Sequence, residues 1–479
     1  MTTLESITQK KFPVSLYLIL GAALIGLSHV TYGVDYLGWF ASVPFLLYLS
    51  KTNGFKSRLL FFLAFFLGWS LAIYKIISDP IPAVLLVLYS LPISIMQFSG
   101  YIIWARTKKY RMVLFPLMMV ILEWIQYTYT PFASWGAAAY TQLDSPIIAQ
   151  SVSLFGIAGL SFIIYFMNAG ITEVILTKKI NRIVAPALVL TVLLLWGSFR
   201  LDNSRAVGTE TITIAAIGTD SDIGGLPLPE AEKNLSVIAG VFNRTRIAAS
   251  QGAELIVWNE AAFYILKEDE DSLIKSVQDL ALEVNSTIVV AYVVPTQEEE
   301  FKYENKYLFV TNTGHIDHSY LKHEPVPGEP AIKGTSEQKV VAQKGVNIGG
   351  AICYDYDFPH VAGENKKAGS DVVALPSSDW RGIDPIHTQM AAFRAIEQGY
   401  SVVRSTRFGL SAAITPYGVM KAQMSSFDDN DKILVTDLPS QSVTTLYSII
   451  GDLFIWLCIG LLIILCYLEY KTRKPAENL

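Results

Sequence analysis

Three polar residues stand at or just beyond the ends of apolar runs. Glu260 closes "ELIVWNE", Lys322 lies in "SYLKHEPVPGEP" and Cys353 closes "VNIGGAIC". In open α/β sheets, ligands bind outside the carboxyl ends of the strands. Singly, each residue has an ordinary explanation: a strand-end Glu or Lys is usually solvated, and a lone Cys usually packs as a small hydrophobe. As a set, they supply the roles that acyl transfer through a thiol needs. Cys353 would attack a carbonyl and hold the acyl group as a thioester. Glu260 would take the thiol proton and later activate the second acceptor. Lys322 would stabilise the oxyanion and the thiolate by opposite charge, helped by the backbone N–H after Cys353.

The stretch around the thiol, "GGAICYDYDFP", places Asp355 and Asp357 close behind it. Nearby carboxylates hold a thiol protonated. The turn after Cys353 is expected to open a helix whose amides favour the thiolate, and past that turn the two aspartates need not face the sulfur. A Cys–His pair is the competing arrangement, but none of His323, His360 and His387 ends an apolar strand. Cys458 and Cys466 lie in an apolar run, so Cys353 is alone in the polar part and a disulfide framework is excluded there. No Cys or His pair shows ligand spacing, so neither a metal nor another cofactor is expected.

The elements that must position these residues fall into two kinds. Hydrophobic residues make up 52% of the 479 and charged residues 16%, against about 25% charged in ordinary globular domains. Residues 12–200 are mostly apolar, whereas 201–445 read as a soluble mixture. A helix needs about 20 apolar residues to cross a bilayer. Expected spans are 13–31, 37–50, 59–78, 82–104, 112–130, 145–176 and 183–199, with an eighth at 449–468. Basic residues cluster at 10–11, 51–58, 106–111, 178–182 and 471–474, while the loops 32–36, 79–81 and 131–144 carry none. With eight spans every basic cluster falls on one side, which places both termini in the cytoplasm and residues 201–445 outside. Within 201–445, strands are expected at 211–218, 254–259, 286–294, 306–313, 346–353 and 371–376, and helices near 236–250 and 270–284. No basic, aromatic-interleaved patch suggests nucleic acid.

Glu260, Lys322 and Cys353 in these settings resemble the Glu–Lys–Cys triad of the nitrilase, or carbon–nitrogen hydrolase, superfamily. The order of spans and outer domain is similar to the apolipoprotein N-acyltransferase family. "PFASWGAAAYTQLDSPIIAQ" (131–150), "WNEAAF", "VPGE", "AICYD", "SSDWRGIDPIHTQMAAFRAIE" and "TTLYSIIGD" fall in that family's order.

The resemblance implies a polytopic α-helical membrane domain over 1–200 with seven spans and an extracytoplasmic α/β nitrilase-like αββα sandwich over 201–445. A last span and cytoplasmic tail would fill 446–479. It implies a monomer in the bacterial cytoplasmic membrane that moves an acyl chain from a phospholipid, through Cys353, to the α-amino group of a lipoprotein's diacylglyceryl-cysteine. It further implies that Glu329 in "VPGE" orients Lys322 and that Tyr354 gives the oxyanion N–H. Arg394 and Glu397, three apart on an expected helix, read as a structural ion pair. Phe263, Tyr264 and Leu266 follow Glu260 and are expected to form a lipid-dipping lid. Departures from the family pattern fall at Asp355, at 217–230, at 406–409 and in a shortened 323–329. Two other readings stand beside this one: a membrane-bound amidase passing the thioester to water, and a non-catalytic scaffold for a partner enzyme.

Overall fold

An uncharged apolar run in lipid must form a helix, because only there does each backbone N–H and C=O find a partner within the segment. The computed structural model describes residues 13–78, 81–204, 210–224, 227–296 and 300–472. Among these, six helices are long and apolar enough to cross a membrane: Phe55–Ile73, Leu85–Arg106, Arg111–Tyr129, Val152–Thr177, Ile180–Asn203 and Leu453–Lys471. Arg111–Tyr129 and Val152–Thr177 form the centre of the bundle, each 67% buried. Ile180–Asn203 and Leu453–Lys471, at 11% and 17%, turn most of their apolar surface outward. The first expected span is the 13-residue apolar helix Leu16–Ser28.

The second expected span, 37–50, is not a single helix. It breaks into Asp35–Gly38 and Val43–Lys51. Asn168 makes the break affordable: its Oδ1 accepts from Ser42 N at 2.8 Å and its Nδ2 donates to Gly38 O at 3.0 Å, so the freed backbone groups stay bonded inside the bundle.

The second part carries two six-stranded sheets. In chain order the first receives β1 (Thr211–Ile217), β2 (Leu255–Trp258), β3 (Thr287–Pro295), β4 (Tyr303–Val310) and β5 (Ile316–Leu321). The second receives β6 (Val341–Gln343), β7 (Val346–Gly350), β8 (Val372–Ser378), β9 (Ser401–Arg407), β10 (Leu410–Ile414) and β11 (Met420–Ser425). The chain then returns as β12 (Ile433–Pro439) beside β1. The spatial orders are β12-β1-β2-β3-β4-β5 and β11-β10-β9-β8-β7-β6, with the parallel strands central in each.

Buried parallel strands have to be apolar on both faces, and these are. Ile214, Val257, Tyr307, Ile348, Val372 and Val403 meet between the sheets. Helices Ala231–Ser250 and Glu270–Val284 cover the outside of the first sheet, and Pro359–Lys367 and Ile386–Gln398 the outside of the second. The layers therefore run αββα. All six expected strands and both expected helices are present, while β5, β6 and β9 to β12 are additional.

Helix Ile386–Gln398 has two packed faces. Ala391, Ala392 and Ala395 lie on the sheet, while Met390, Phe393 and Ile396 join the core of the membrane bundle. At its end, Glu397 Oε1 accepts from Ile157 N at 2.8 Å, just past the kink at Phe155 and Gly156 that interrupts Val152–Thr177. Arg394 Nε lies 3.0 Å from Glu397 Oε2, and Arg394 Nη2 donates to Tyr140 Oη at 3.0 Å. This pair holds the two parts together, which suits the structural role read for it.

Close sheet packing requires glycine just before the Cys353 turn. A Cβ on Gly350 would stand 2.4 Å from Tyr307 Oη, on a ring with 0% exposure that cannot move aside. Gly350→Ala is therefore expected to destabilise the outer domain by about 1–3 kcal/mol through overpacking, read as a lowered melting temperature of the detergent-solubilised protein.

Candidate active site

β2 ends at Trp258, and Glu260 follows with its backbone N–H bonded to Ser377 O at 3.2 Å, across to the second sheet. β5 ends at Leu321, and Lys322 N donates to Asn305 O at 2.9 Å. β7 ends at Gly350, and Cys353 opens a short 3-10 turn, Cys353–Asp357. Cys353 has φ +47°, in the left-handed region that few side chains adopt; such strain is held where surrounding packing over-determines it. The two sheets thus bring together residues that are 62 and 31 positions apart along the chain, subtracting their numbers.

Lys322 is the centre of the group, 1% exposed. Its Nζ donates to Glu260 Oε1 and to Glu329 Oε2, each at 2.8 Å. Asn305 Nδ2 bridges the same two acids, reaching Glu260 Oε1 at 2.7 Å and Glu329 Oε1 at 3.0 Å. Glu329 also accepts from Val326 N at 2.9 Å, so the 326–329 loop is fixed by the carboxylate it carries. Burial alone would strip the proton from Lys322, but Glu260 and Glu329 outweigh it and hold the ammonium well above its ordinary range. Burial would likewise raise Glu329, and Lys322 with its hydrogen bonds wins, holding it below the usual carboxylate range.

Cys353 behaves otherwise than the sequence led us to expect. Burial, and then Glu260, push its thiol well above the usual value, and Lys322 opposes them without prevailing. The Sγ donates to Ser378 O at 3.4 Å, as a protonated thiol does. The helix expected after it is only the five-residue turn, too short to supply a dipole that would hold a thiolate. Burial and the bond to Ser378 O thus favour a neutral thiol at Cys353.

The aspartates that follow do turn elsewhere. Asp355 accepts from Ile352 N, Glu324 N and Tyr320 Oη at 2.7 to 2.9 Å. Asp357 binds Trp135 Nε1 at 2.7 Å and His387 Nε2 at 3.0 Å.

The lid reading of Phe263 and Tyr264 is overturned. Residues 262–265 run beside β3, with Ala262 N bonded to Ala291 O, Val293 N to Phe263 O and Ile265 N to Val293 O. Phe263 is fully buried against Trp258 and Tyr292. Tyr264 is half-buried, and its Oη donates to Pro229 O at 3.2 Å. Leu266 alone is exposed. Backbone bonding to a strand edge leaves this segment no freedom to act as a flap.

Apolar surface reaches Cys353 from the membrane part instead. An apolar cleft runs between Trp69, Ile73, Tyr89, Ile93 and Trp135 on one side and Cys353, Tyr354, Trp380 and His387 on the other. Tyr354 Oη donates to Pro131 O at 2.6 Å and closes the wall next to the thiol. The sequence reading missed Asn305, a polar residue at a buried position of β4, and the group of Trp135, Asp357, Asp379, His387 and Arg404. The motif "SSDWRGIDPIHTQ" held two of these, but their contacts cross from one part of the chain to the other.

Cys353, Asp379 and His387 place donor atoms within 4.8 Å of one another, a spacing a metal could use. The donors are nevertheless committed: both nitrogens of His387 face carboxylates, and Asp379 binds Arg404 through both oxygens.

Two stacked sheets with Glu, Lys and Cys meeting between their strand ends define a carbon–nitrogen hydrolase domain. A model described as Carbon-nitrogen hydrolase matches residues 213–447, and one described as Apolipoprotein N-acyltransferase N-terminal domain matches residues 21–170. The Apolipoprotein N-acyltransferase of Borreliella burgdorferi is 25% identical, covering 93% of each chain, and that of Rickettsia bellii is 23% identical over 85% of this chain and 87% of the other. That of Pseudomonas syringae is 32% identical over 37% of this chain and 40% of its own. Among solved structures, an amidase from Nesterenkonia sp. aligns at 19% identity and a TM-score of 0.39, covering 48% of this chain and 91% of its own. The chain belongs to the apolipoprotein N-acyltransferase family, a membrane-embedded branch of the carbon–nitrogen hydrolases.

Proposed function

We propose that this membrane enzyme moves a fatty acyl chain from a phospholipid to Cys353, and from there to the α-amino group of a lipoprotein's N-terminal diacylglyceryl-cysteine. The observation that carries this reading is the cleft: its walls come from membrane helices, and Cys353 lies on its border. A water-soluble amide substrate would have no use for such walls, which sets the amidase reading aside. The intact group of Glu260, Lys322 and Cys353 speaks against the scaffold.

In the first step Sγ attacks the ester carbonyl carbon while Glu260 takes the thiol proton. Lys322 and Asn305 both bind Oε1, so Oε2 is the oxygen assigned to the proton. Coupling deprotonation to attack suits a thiol that burial keeps neutral. Lys322, with the Tyr354 N–H, stabilises the oxyanion, and the C–O bond breaks as the lysophospholipid oxygen takes the proton from Glu260. In the second step the neutral amine attacks the thioester, Glu260 accepts its proton, and the C–S bond breaks as Glu260 passes that proton to Sγ, returning the thiol and the carboxylate. Glu329 and Asn305 hold Lys322 and Glu260 in register throughout.

The same reading assigns 1–200 and 446–479 to the membrane and 201–445 to the extracytoplasmic side. Eight crossings would place both termini in the cytoplasm of a bacterial cell, with the enzyme in the inner membrane as a monomer. The basic clusters support this orientation.

The purified protein, given vesicles of a phospholipid with defined acyl chains, is expected to gain one acyl mass on Cys353, released by a synthetic diacylglyceryl-cysteine peptide as the N-acyl product. No acyl mass on Cys353 would overturn the reading. Ile93 is 3% exposed on the cleft wall. Ile93→Phe fills part of the cleft and is expected to shift the transferred acyl group toward shorter chains, measured from the thioester mass distribution in mixed vesicles.

A further inference from the structure

His387 is the second residue of helix Ile386–Gln398 and is buried where the cleft meets Cys353. Its Nδ1 lies 2.7 Å from Asp379 Oδ1 and its Nε2 3.0 Å from Asp357 Oδ1. Both ring nitrogens face carboxylate oxygens, which only accept, and this favours the imidazolium over the opposition of Arg404 Nη2, 3.0 Å from Nδ1. Arg404 completes the group, donating from Nη1 to Asp379 Oδ2 at 2.9 Å and from Nη2 to Asp379 Oδ1 at 2.7 Å. Two acids and two cations balance, and each is at most 5% exposed.

The group has two ends. One is the thiol, since donor atoms of His387 and of Asp379 both lie within 4.8 Å of Cys353 Sγ, the acid opposing the thiolate and the imidazolium and Arg404 offsetting it. The other is the membrane part. Asp357 Oδ2 accepts from Trp135 Nε1 at 2.7 Å, and Asp357 O accepts from Ser134 N at 3.1 Å and from Ser134 Oγ at 2.6 Å. Asp357 also closes the turn that Cys353 opens. One carboxylate therefore connects the cleft wall, the imidazolium and the segment carrying the nucleophile.

We propose that His387 is a positioning residue for acyl transfer, a fixed cation beside Cys353 that supports the thiolate as it forms and, through Asp357, locks the Trp135 wall to the nucleophile's turn. The proposal rests on the thioester reading above. Lys322 is one cation of the site, and His387 becomes a second, supplied by the other sheet's covering helix. The charged and titratable groups facing it are Cys353 and Asp357 from the turn, Asp379 from the end of β8 and Arg404 from β9. Asp384 lies beyond Asp379, and residues 131–144 of the membrane part present Trp135, which does not titrate, and Tyr140, whose hydroxyl feels Asp357. Burial works against the ring's charge, but Asp357 and Asp379 outweigh it and raise His387 to about 9, so it stays charged through the neutral range.

Asp357→Asn keeps the shape and lets a neutral His387 remain bonded, whereas His387→Gln removes the cation and leaves both acids. The test is the pH dependence of iodoacetamide alkylation at Cys353, read by peptide mass spectrometry in the full-length protein, beside the rate of thioester formation from phospholipid vesicles. Both variants are expected to slow alkylation at neutral pH, Asp357→Asn about 3-fold and His387→Gln about 10-fold, with the alkylation profile moved to higher pH and thioester formation reduced in the same order. An unmoved alkylation profile in whichever variant is recovered folded overturns the proposal, whatever happens to the rate, since a merely structural loss would not shift the titration of the thiol. Alkylation requires no acyl donor. A wild-type protein that alkylates but forms no thioester would therefore refute the acyl-transfer reading, while the alkylation profiles would still decide the role of His387.

Discussion

Cys353→Ala is expected to abolish both thioester formation and N-acylation, a loss of about 10⁴-fold or more, while leaving the melting temperature within a few degrees of wild type. The two halves of this expectation have separate causes. Activity vanishes because, among the described residues, no second thiol stands in the site: Cys458 and Cys466 lie on helix Leu453–Lys471, and the His387 imidazole has both nitrogens against carboxylates. Removing a nucleophile that acts as a unit with its base costs nearly the whole chemical acceleration. Stability survives because the thiol is small and neutral. It makes one weak bond, to Ser378 O at 3.4 Å, worth about 1 kcal/mol or less. The left-handed backbone at φ +47° strains Ala and Cys alike. Acyl mass on intact protein and a thermal melt in detergent check both halves. Residual thioester chemistry at another residue would remove Cys353 from the mechanism.

The division between what the sequence revealed and what it hid follows from distance along the chain. Glu260, Lys322 and Cys353 were visible because each breaks an apolar run at a strand end, a purely local signal. Their convergence had to be inferred from the resemblance, since the two sheets bring them together over many tens of residues. Asn305 was hidden because a polar residue in a strand normally marks the solvent face, and only the structure shows that its face is the inside of the site. The lid reading failed for a related reason. "AAFYIL" looks like exposed apolar bulk after Glu260, but it adds itself to the edge of β3 and buries Phe263. The protonation of Cys353 was misjudged because Lys322 was weighed without the burial and the Glu260 charge that oppose it. Span 37–50 was misread because its break is stabilised by Asn168, more than a hundred residues away.

Lys322→Met is expected to lose both properties, and the way stability returns identifies the cause. Methionine fills the volume of the lysine stem but leaves Glu260 and Glu329 facing each other with Asn305 between them and no counter-charge. Removing one partner of a buried ion pair costs about 3–5 kcal/mol. The pH dependence then reverses sign. In the wild type Lys322 holds Glu329 below its unfolded value. That contribution is complete above the unfolded carboxylate pKa and is lost as pH falls through the folded one. In the variant Glu329 loses that cation and faces Glu260, so its folded pKa rises and stability is regained as pH falls, because a shared proton relieves the repulsion. The raised pKa of Lys322 itself gives stability present below the unfolded lysine value and lost only as pH climbs through the folded one, so the wild type shows no change from this group near neutrality. The melting temperature of Lys322→Met is therefore expected to rise between pH 8 and pH 5, while neither Lys322 nor Glu329 changes that of the wild type over the same interval. Adding Glu329→Gln to Lys322→Met removes the uncompensated charge and is expected to restore most of the melting temperature. Thioester formation should stay down by about 10³-fold, because the cation that stabilises the oxyanion is still missing. If the double variant regained acyl transfer together with its stability, Lys322 would be a structural counter-ion and the charge on the oxyanion would have to be met by another group.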